Sequence, residues 1–296
     1  MFKRVLTATG MLHACDPALI TALEMAKQNQ GRLFVLHVLE PSYITECGPE
    51  AAVNDFRTGE EIAPTHEYKE TIKEELDKKC AGALKPYGNY EINIVDGWPG
   101  TEIRRWSRKF DADLIVLGPH VERPEDETKL TGEERGNPVE DVIARVTAPV
   151  MIVSSFVKKE SLDFKKVLVC IDFSKSCDYA CQFAIKLAQR YGSKLLLFHM
   201  EGSKKEIEAS RNRLRDFCKV PQGVDYEYSI WEGAQPGTEI LKCAEANHVD
   251  LVVMGSRARE VSGKAYVGSA VADVSAKFSR PVVVITHPDA VAKIEA

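Results

Sequence analysis

The chain contains no run approaching the roughly 20 consecutive apolar residues that a membrane-spanning helix requires, and its opening segment, MFKRVLTATGMLH, lacks the small-residue cleavage site of a secretory leader. It carries no basic excess. Its 39 Lys and Arg face 44 Asp and Glu, a net charge of -5, whereas a nucleic-acid binder normally gathers positive charge on one face. None of its eight cysteines stands at C-x-x-C spacing, and a chain of 296 residues does not depend on disulfide staples. Its seven histidines never recur at metal-ligand spacing. These absences lead to the expectation of a cytoplasmic globular protein with reduced, buried cysteines and with neither nucleic acid nor membrane as partner. Cys177 and Cys181 lie one helical turn apart and read as small apolar helix residues, although a redox or metal pair has the same spacing. His37 and His199 fall inside apolar runs and read as core or strand-end residues.

What the chain does have is a repeat. FKRVLTATG at residue 2 returns as FKKVLVCID at 164, and RLFVLHV at 32 as KLLLFHM at 194, both at an offset of 162. PGTEI at 99 recurs at 236, and DLIVLG at 113 returns as DLVVMG at 250, at an offset of 137. APVMIV at 148 answers RPVVVI at 280, at an offset of 132, so the loop after Gly118 is five residues longer than the one after Gly255. Two copies of one domain, residues 1–155 and 163–290, therefore meet at a linker near SSFVKKESLD, close to the size of about 150 residues usual for a domain.

Each copy alternates strand and helix. The apolar runs at 167–171, 195–198, 251–254 and 282–285 are continuous, as in strands buried on both faces of a parallel sheet. YEYSIW at 226 is a more ambiguous fifth strand. Ala180, Phe183, Ala184, Leu187 and Ala188 form one apolar helical stripe, matched by Ala18, Ala22 and Ala26, and Gly192 suits a left-handed helix C-cap. The fold expected is two tandem Rossmann-like or flavodoxin-like doubly wound α/β domains, each a five-stranded parallel sheet flanked by helices. PGTEI occurs in both copies, so its Pro and Thr are read as shaping and capping a helix.

Such sheets bind ligands beyond the carboxyl ends of their strands. In the second copy those ends are Asp172, Met200, and Met254 with Gly255. A carboxylate at Asp172 suits ribose hydroxyls, and equally suits a turn or cap ahead of SKSCDYA. Gly255 has no Cβ, which lets a phosphate approach its backbone. Gly268 and Ser269 open a helix whose N–H groups and dipole favour an anion. The stretch is neither a P-loop, since Ala265 stands where Ser or Thr is required, nor G-x-G-x-x-G.

Gly255, Ser256, Arg257, Ala258, nine further residues, then Gly268 and Ser269 resemble the phosphate loop G-x-x-G-x(9)-G-[S/T] of the universal stress protein family. The resemblance extends over both copies. It implies an adenine-nucleotide binder in which Asp172 serves the ribose or adenine, the backbone around Met200 the adenine, and Met254, Gly255, Arg257, Gly268, Ser269 and Ala270 the phosphates. ATP or AMP, with or without Mg2+, is the implied ligand. Ala258 departs from the second motif glycine and costs about 1 to 2 kcal/mol if that position needs positive φ. Of the loop cations Arg257, Arg259 and Lys264, only Arg257 is a candidate to compensate by pairing with phosphate.

The first copy departs further. Gly10 replaces the Asp, Asn137 replaces Ser269, and the stretch from Glu122 to Glu140 carries seven carboxylates (122, 125, 126, 127, 133, 134 and 140) that repel phosphate. It reads as a degenerate partner without a nucleotide site. The function expected is a nucleotide-binding stress-response regulator rather than an evolved enzyme, the alternatives being a slow ATP hydrolase and a nucleotide-independent scaffold. Protein partners are not readable. The resemblance also implies that the last strands of the two copies meet, a pseudo-dimer within one chain, with a further homodimer left open.

Overall fold

A computed structural model of the chain describes residues 1–10, 16–41, 52–55, 59–118, 137–202, 207–257, 259–261 and 264–294. The N-terminal half runs β1 (Arg4–Ala8), α1 (Pro17–Asn29), β2 (Arg32–Leu39), α2 (His66–Leu84), β3 (Tyr90–Asp96), α3 (Pro99–Lys109), β4 (Leu114–Leu117), α4 (Pro138–Arg145) and β5 (Val150–Ile152). The C-terminal half repeats the order as β6 (Lys166–Cys170), α5 (Lys175–Tyr191), β7 (Lys194–Glu201), α6 (Ile207–Phe217), β8 (Tyr226–Glu232), α7 (Pro236–Ala246), β9 (Leu251–Gly255), α8 (Ser269–Lys277) and β10 (Val282–Ile285), followed by α9 (Asp289–Ala292). The ambiguous run at 226 is thus a strand. It is an outer strand of the sheet and only partly covered, hence its mixed polarity.

These ten strands form one sheet, in the order β8-β7-β6-β9-β10-β5-β4-β1-β2-β3. Within each half the strands are parallel and ordered 3-2-1-4-5, the Rossmann-like arrangement. Strand order reverses between β1 and β4, and between β6 and β9. The halves join where β10 runs antiparallel to β5, with Val282 opposite Ile152 and Val284 opposite Val150. Edges that each half would otherwise expose are therefore paired with one another.

Two apolar layers cover this sheet, and each spans both halves. On one face Ala22, Met25, Ile72, Leu76, Phe183, Leu187 and Leu214 bring in α1, α2, α5 and α6. On the other, Ile103, Val142, Ile240, Cys243, Val271 and Val274 bring in α3, α4, α7 and α8. The helices begin and end where the sequence provides caps. Asp16 accepts the Leu19 N–H and Ser174 the Cys177 N–H, and Gly192 closes α5 at φ +68. Pro99 and Pro236 take the first position of α3 and α7, where no N–H is needed. Their threonines do not cap, because they stand at the third helical position and the capping residues Trp98 and Gln235 make no side-chain cap bond.

Further ties hold the halves together. Asn29 Nδ2 donates to the Tyr191 hydroxyl at 3.2 Å, Thr286 Oγ1 to the Ile143 carbonyl at 3.1 Å, and Lys293 Nζ to Asp111 Oδ1 at 2.9 Å. Ser154 and Ser155 of the linker donate to the carbonyls of Phe278 and Ser279. An antiparallel ribbon, Arg259–Val261 with Lys264–Tyr266, rises between β9 and α8, and its second strand packs against α4 of the N-terminal half.

Candidate functional site

The carboxyl ends of β6, β7 and β9 gather most of the residues singled out from sequence. After β6 the chain turns sharply at Phe173, whose φ of +60 is strained for a bulky residue. Packing holds it there. The Phe173 ring lies 4.6 Å from that of His199 and 5.4 Å from that of Phe217, with the Arg213 guanidinium 3.8 Å from its centre. This turn projects Asp172 with its side chain about half exposed, at 49 %.

Every oxygen of that carboxylate has a partner. Oδ1 accepts the Ser174 N–H at 2.9 Å and the Cys177 thiol at 2.9 Å, and Oδ2 accepts Arg257 Nη2 at 2.9 Å. Partial burial pushes the Asp172 pKa up, but the hydrogen bonds from Cys177 and Ser174 and the Arg257 charge outweigh it and hold the group below the ordinary carboxylate value. Burial and the adjacent carboxylate push the Cys177 thiol the other way, up to about 11. The helix cap is Ser174 and not Asp172, which has a turn role on one oxygen and an ion pair on the other.

Gly255 ends β9 against the start of α5. A Cβ on it would lie 2.5 Å from the Cys177 nitrogen and 2.5 Å from the Ser176 carbonyl carbon. The glycine is therefore required by backbone packing, and the same contact sets the loop beside Asp172. Met254 is buried, the Ser256 N–H bonds to the Ile285 carbonyl at 3.0 Å, and Arg257 emerges exposed. Met200 lies beside Trp231 in the β7–β8 register, and a Cβ on Gly233 would stand 3.3 Å from its sulfur.

Gly268 is the capping residue of α8, with φ −58 and no side-chain cap bond, and a Cβ there would meet nothing within 4 Å. Ser269 is exposed and Ala270 half buried, and the first turn contains no acid. The corresponding helix of the other half is built the opposite way. The Asn137 side chain caps α4 by accepting the Val139 N–H at 2.9 Å, and Glu140 and Asp141 fill its first turn. The α8 start is thus open to an anion, whereas the α4 start has one N–H capped by its own asparagine and two acids beside it, of which Asp141 is paired with Arg104 at 3.0 Å and Arg145 at 3.1 Å.

The histidines are strand-end ties. His37 Nδ1 bonds to the Thr9 carbonyl at 2.8 Å and His199 Nδ1 to the Ile171 carbonyl at 2.7 Å, each linking the second strand of its half to the end of the first. His199 Nε2 also meets Glu201 Oε1 at 3.0 Å, and the Ser210 hydroxyl donates to the same oxygen. Among the described residues no cluster of His, Cys, Asp or Glu is arranged to hold a metal ion, and Cys177 and Cys181 are buried free thiols. Ala258, Gly136 and the acidic insert 119–135 lie outside the described residues, and nothing is described of the Arg259 and Lys264 side chains.

Sequence reasoning missed three residues here. Cys177 and Ser174 both bond Asp172, and the buried Ser256 hydroxyl has no hydrogen-bond partner among the described residues. The Ser174 N–H was foreseeable, since an Asp commonly accepts the backbone N–H two residues on; the Cys177 thiol was not.

A sequence profile of the Universal stress protein family matches residues 1–154, 163–201 and 200–286. A universal stress protein from the QAH/OAS sulfhydrylase 3' region of Thermus aquaticus is 27% identical over 136 residues, 41% of this chain and 98% of that protein. The crystal structure of a universal stress protein from Archaeoglobus fulgidus DSM 4304 superposes with a TM-score of 0.69 at 24% identity, over 97% of both chains. A functionally unknown protein from Pseudomonas aeruginosa PAO1 has the same fold, with a TM-score of 0.58 at 16% identity over 99% of this chain and 96% of its own. No helix among the described residues is long and apolar enough to cross a membrane. With one fold repeated at both ends of a single sheet and the profile matching nearly throughout, the chain belongs to the universal stress protein family in a tandem form.

Proposed function

We propose that the C-terminal half, residues 163–290, binds one adenine nucleotide, ATP or AMP, and that the N-terminal half, residues 1–155, binds none. The observation that carries this reading is the contrast between the two helix starts: α8 is glycine-capped, uncharged and open, whereas α4 is capped by its own asparagine and carries two acids in its first turn. In the proposed site Asp172 takes ribose hydroxyls and the backbone beside Met200 takes the adenine edge. Met254 and Gly255 carry the loop base, and Arg257 with the first turn of α8 at Gly268, Ser269 and Ala270 holds the phosphates. Phosphate oxygens there would supply the coordination for any accompanying Mg2+.

The gathered groups are donors, one carboxylate and one guanidinium, which suits holding a ligand better than turning it over. Binding is therefore the proposed role, with the nucleotide setting the state of a cytoplasmic stress-response regulator. Purified protein, denatured and cleared, should release adenine nucleotide into the supernatant. Absence of stoichiometric nucleotide, together with no uptake by the stripped protein below millimolar concentration, would sink this reading. Steady phosphate release lost in Asp172→Ala while affinity is kept would instead identify an enzyme.

A further inference from the structure

We propose that Arg257 makes the site select nucleotides over nucleosides, by occupying Asp172 until a phosphate draws its guanidinium away. The inference rests on the nucleotide reading above and adds to it a determinant of specificity.

Asp172 has little spare capacity. One oxygen is held by Ser174 and Cys177 from within its own turn, at 2.9 Å each, and the other by Arg257 at 2.9 Å. The carboxylate has one acceptor site left, on Oδ2, so seating both vicinal hydroxyls of a ribose on it displaces the guanidinium. Arg257 can yield because its side chain is 64 % exposed, while the backbone just before it stays tied through the Ser256 N–H to Ile285. The side chain therefore swings on a fixed base.

The two ligand classes meet different balances. A nucleoside breaks the pair and offers Arg257 nothing in return. A nucleotide breaks the same pair but brings a phosphate, and a guanidinium binds phosphate through two charge-assisted hydrogen bonds that are shorter and stronger than neutral ones. An exposed ion pair is worth little, so the penalty on a nucleoside is about 1.4- to 5-fold in affinity. The gain for a nucleotide is about tenfold, as expected of a hydrogen bond to a charged group. The N-terminal half has neither partner: Gly10 stands at the Asp172 position and, by the 137-residue offset, His120 at the Arg257 position.

Arg257→Gln should therefore change the two affinities in opposite directions. In calorimetric titrations of the full chain at low salt, AMP should bind about 2- to 7-fold more weakly to the variant, the tenfold phosphate contact being lost and the pair-breaking penalty no longer paid, and adenosine about 1.4- to 5-fold more tightly. In an Asp172→Asn background the adenosine gain should vanish, because no carboxylate remains for Arg257 to guard. If AMP binds the wild type and adenosine affinity is unchanged or falls in Arg257→Gln, the selection by Arg257 is wrong and the nucleotide reading stands. If neither AMP nor adenosine binds the wild type, the nucleotide reading fails and this inference fails with it.

Discussion

Met151 of β5 lies directly opposite Val283 of β10 in the only antiparallel junction of the ten-stranded sheet, and the two residues occupy equivalent positions of the repeat, 132 apart. A pseudo-two-fold axis therefore passes between their side chains. Both are completely buried, and the layers above and below them draw residues from both halves. The molecule should accordingly unfold in one transition. Met151→Ala should lower stability by about 2–5 kcal/mol and shift that single transition, followed by circular dichroism in urea, without splitting it. Two separate transitions in the wild type would contradict a shared core.

Gly268→Val separates binding from folding. A side chain there projects into open space, so the change should cost stability no more than about 1 kcal/mol, the range of a helix cap. It places a branched group over the first turn of α8, and calorimetry should detect no nucleotide binding. Gly136→Val at the equivalent position of the N-terminal half is expected to leave binding as it was.

The long-range assembly was legible in part. Continuous apolar runs such as Leu195–Phe198 and Val282–Ile285 marked buried parallel strands, and the meeting of β5 with β10 followed from the family resemblance. The 3-2-1-4-5 order was not legible, because every inner strand is equally apolar. The ribbon of Arg259–Val261 with Lys264–Tyr266 was not read from the sequence although EVSGKAY carries a hairpin signal, two short runs around Ser-Gly, because strands of three residues leave little apolar alternation to mark them. The site was legible as positions and not as interactions. Asp172 and Arg257 are 85 residues apart, and no local pattern announces their ion pair.

That ribbon links the halves. Its second strand packs on α4 and leads directly into Gly268 and α8. Nucleotide bound at α8 should slow amide hydrogen exchange in α4 of the other half, while α2, on the opposite face, keeps its rate. Equal change in α2 and α4, or none in α4, would show that the ribbon carries no coupling.

His37 sets part of the acid sensitivity. Burial lowers its pKa below the ordinary 6.5, against the opposing effect of the Thr9 carbonyl bond. The unfolded chain then takes up the proton first, so stability is fully present above pH 6.5 and falls as the pH drops toward the lowered folded value, by up to about 1.4 kcal/mol per pH unit. His37→Gln should flatten that slope in urea midpoints measured between pH 7.5 and 5.5. A constant difference between variant and wild type across the range would show that His37 does not titrate with folding.

Stoichiometry tests the central claim most directly. Protein stripped of nucleotide and titrated with ATP in a calorimeter should bind one equivalent per chain below millimolar concentration, with the heat lost in Gly268→Val. Two equivalents per chain, or no saturable heat below millimolar ATP, would contradict a single site in the C-terminal half.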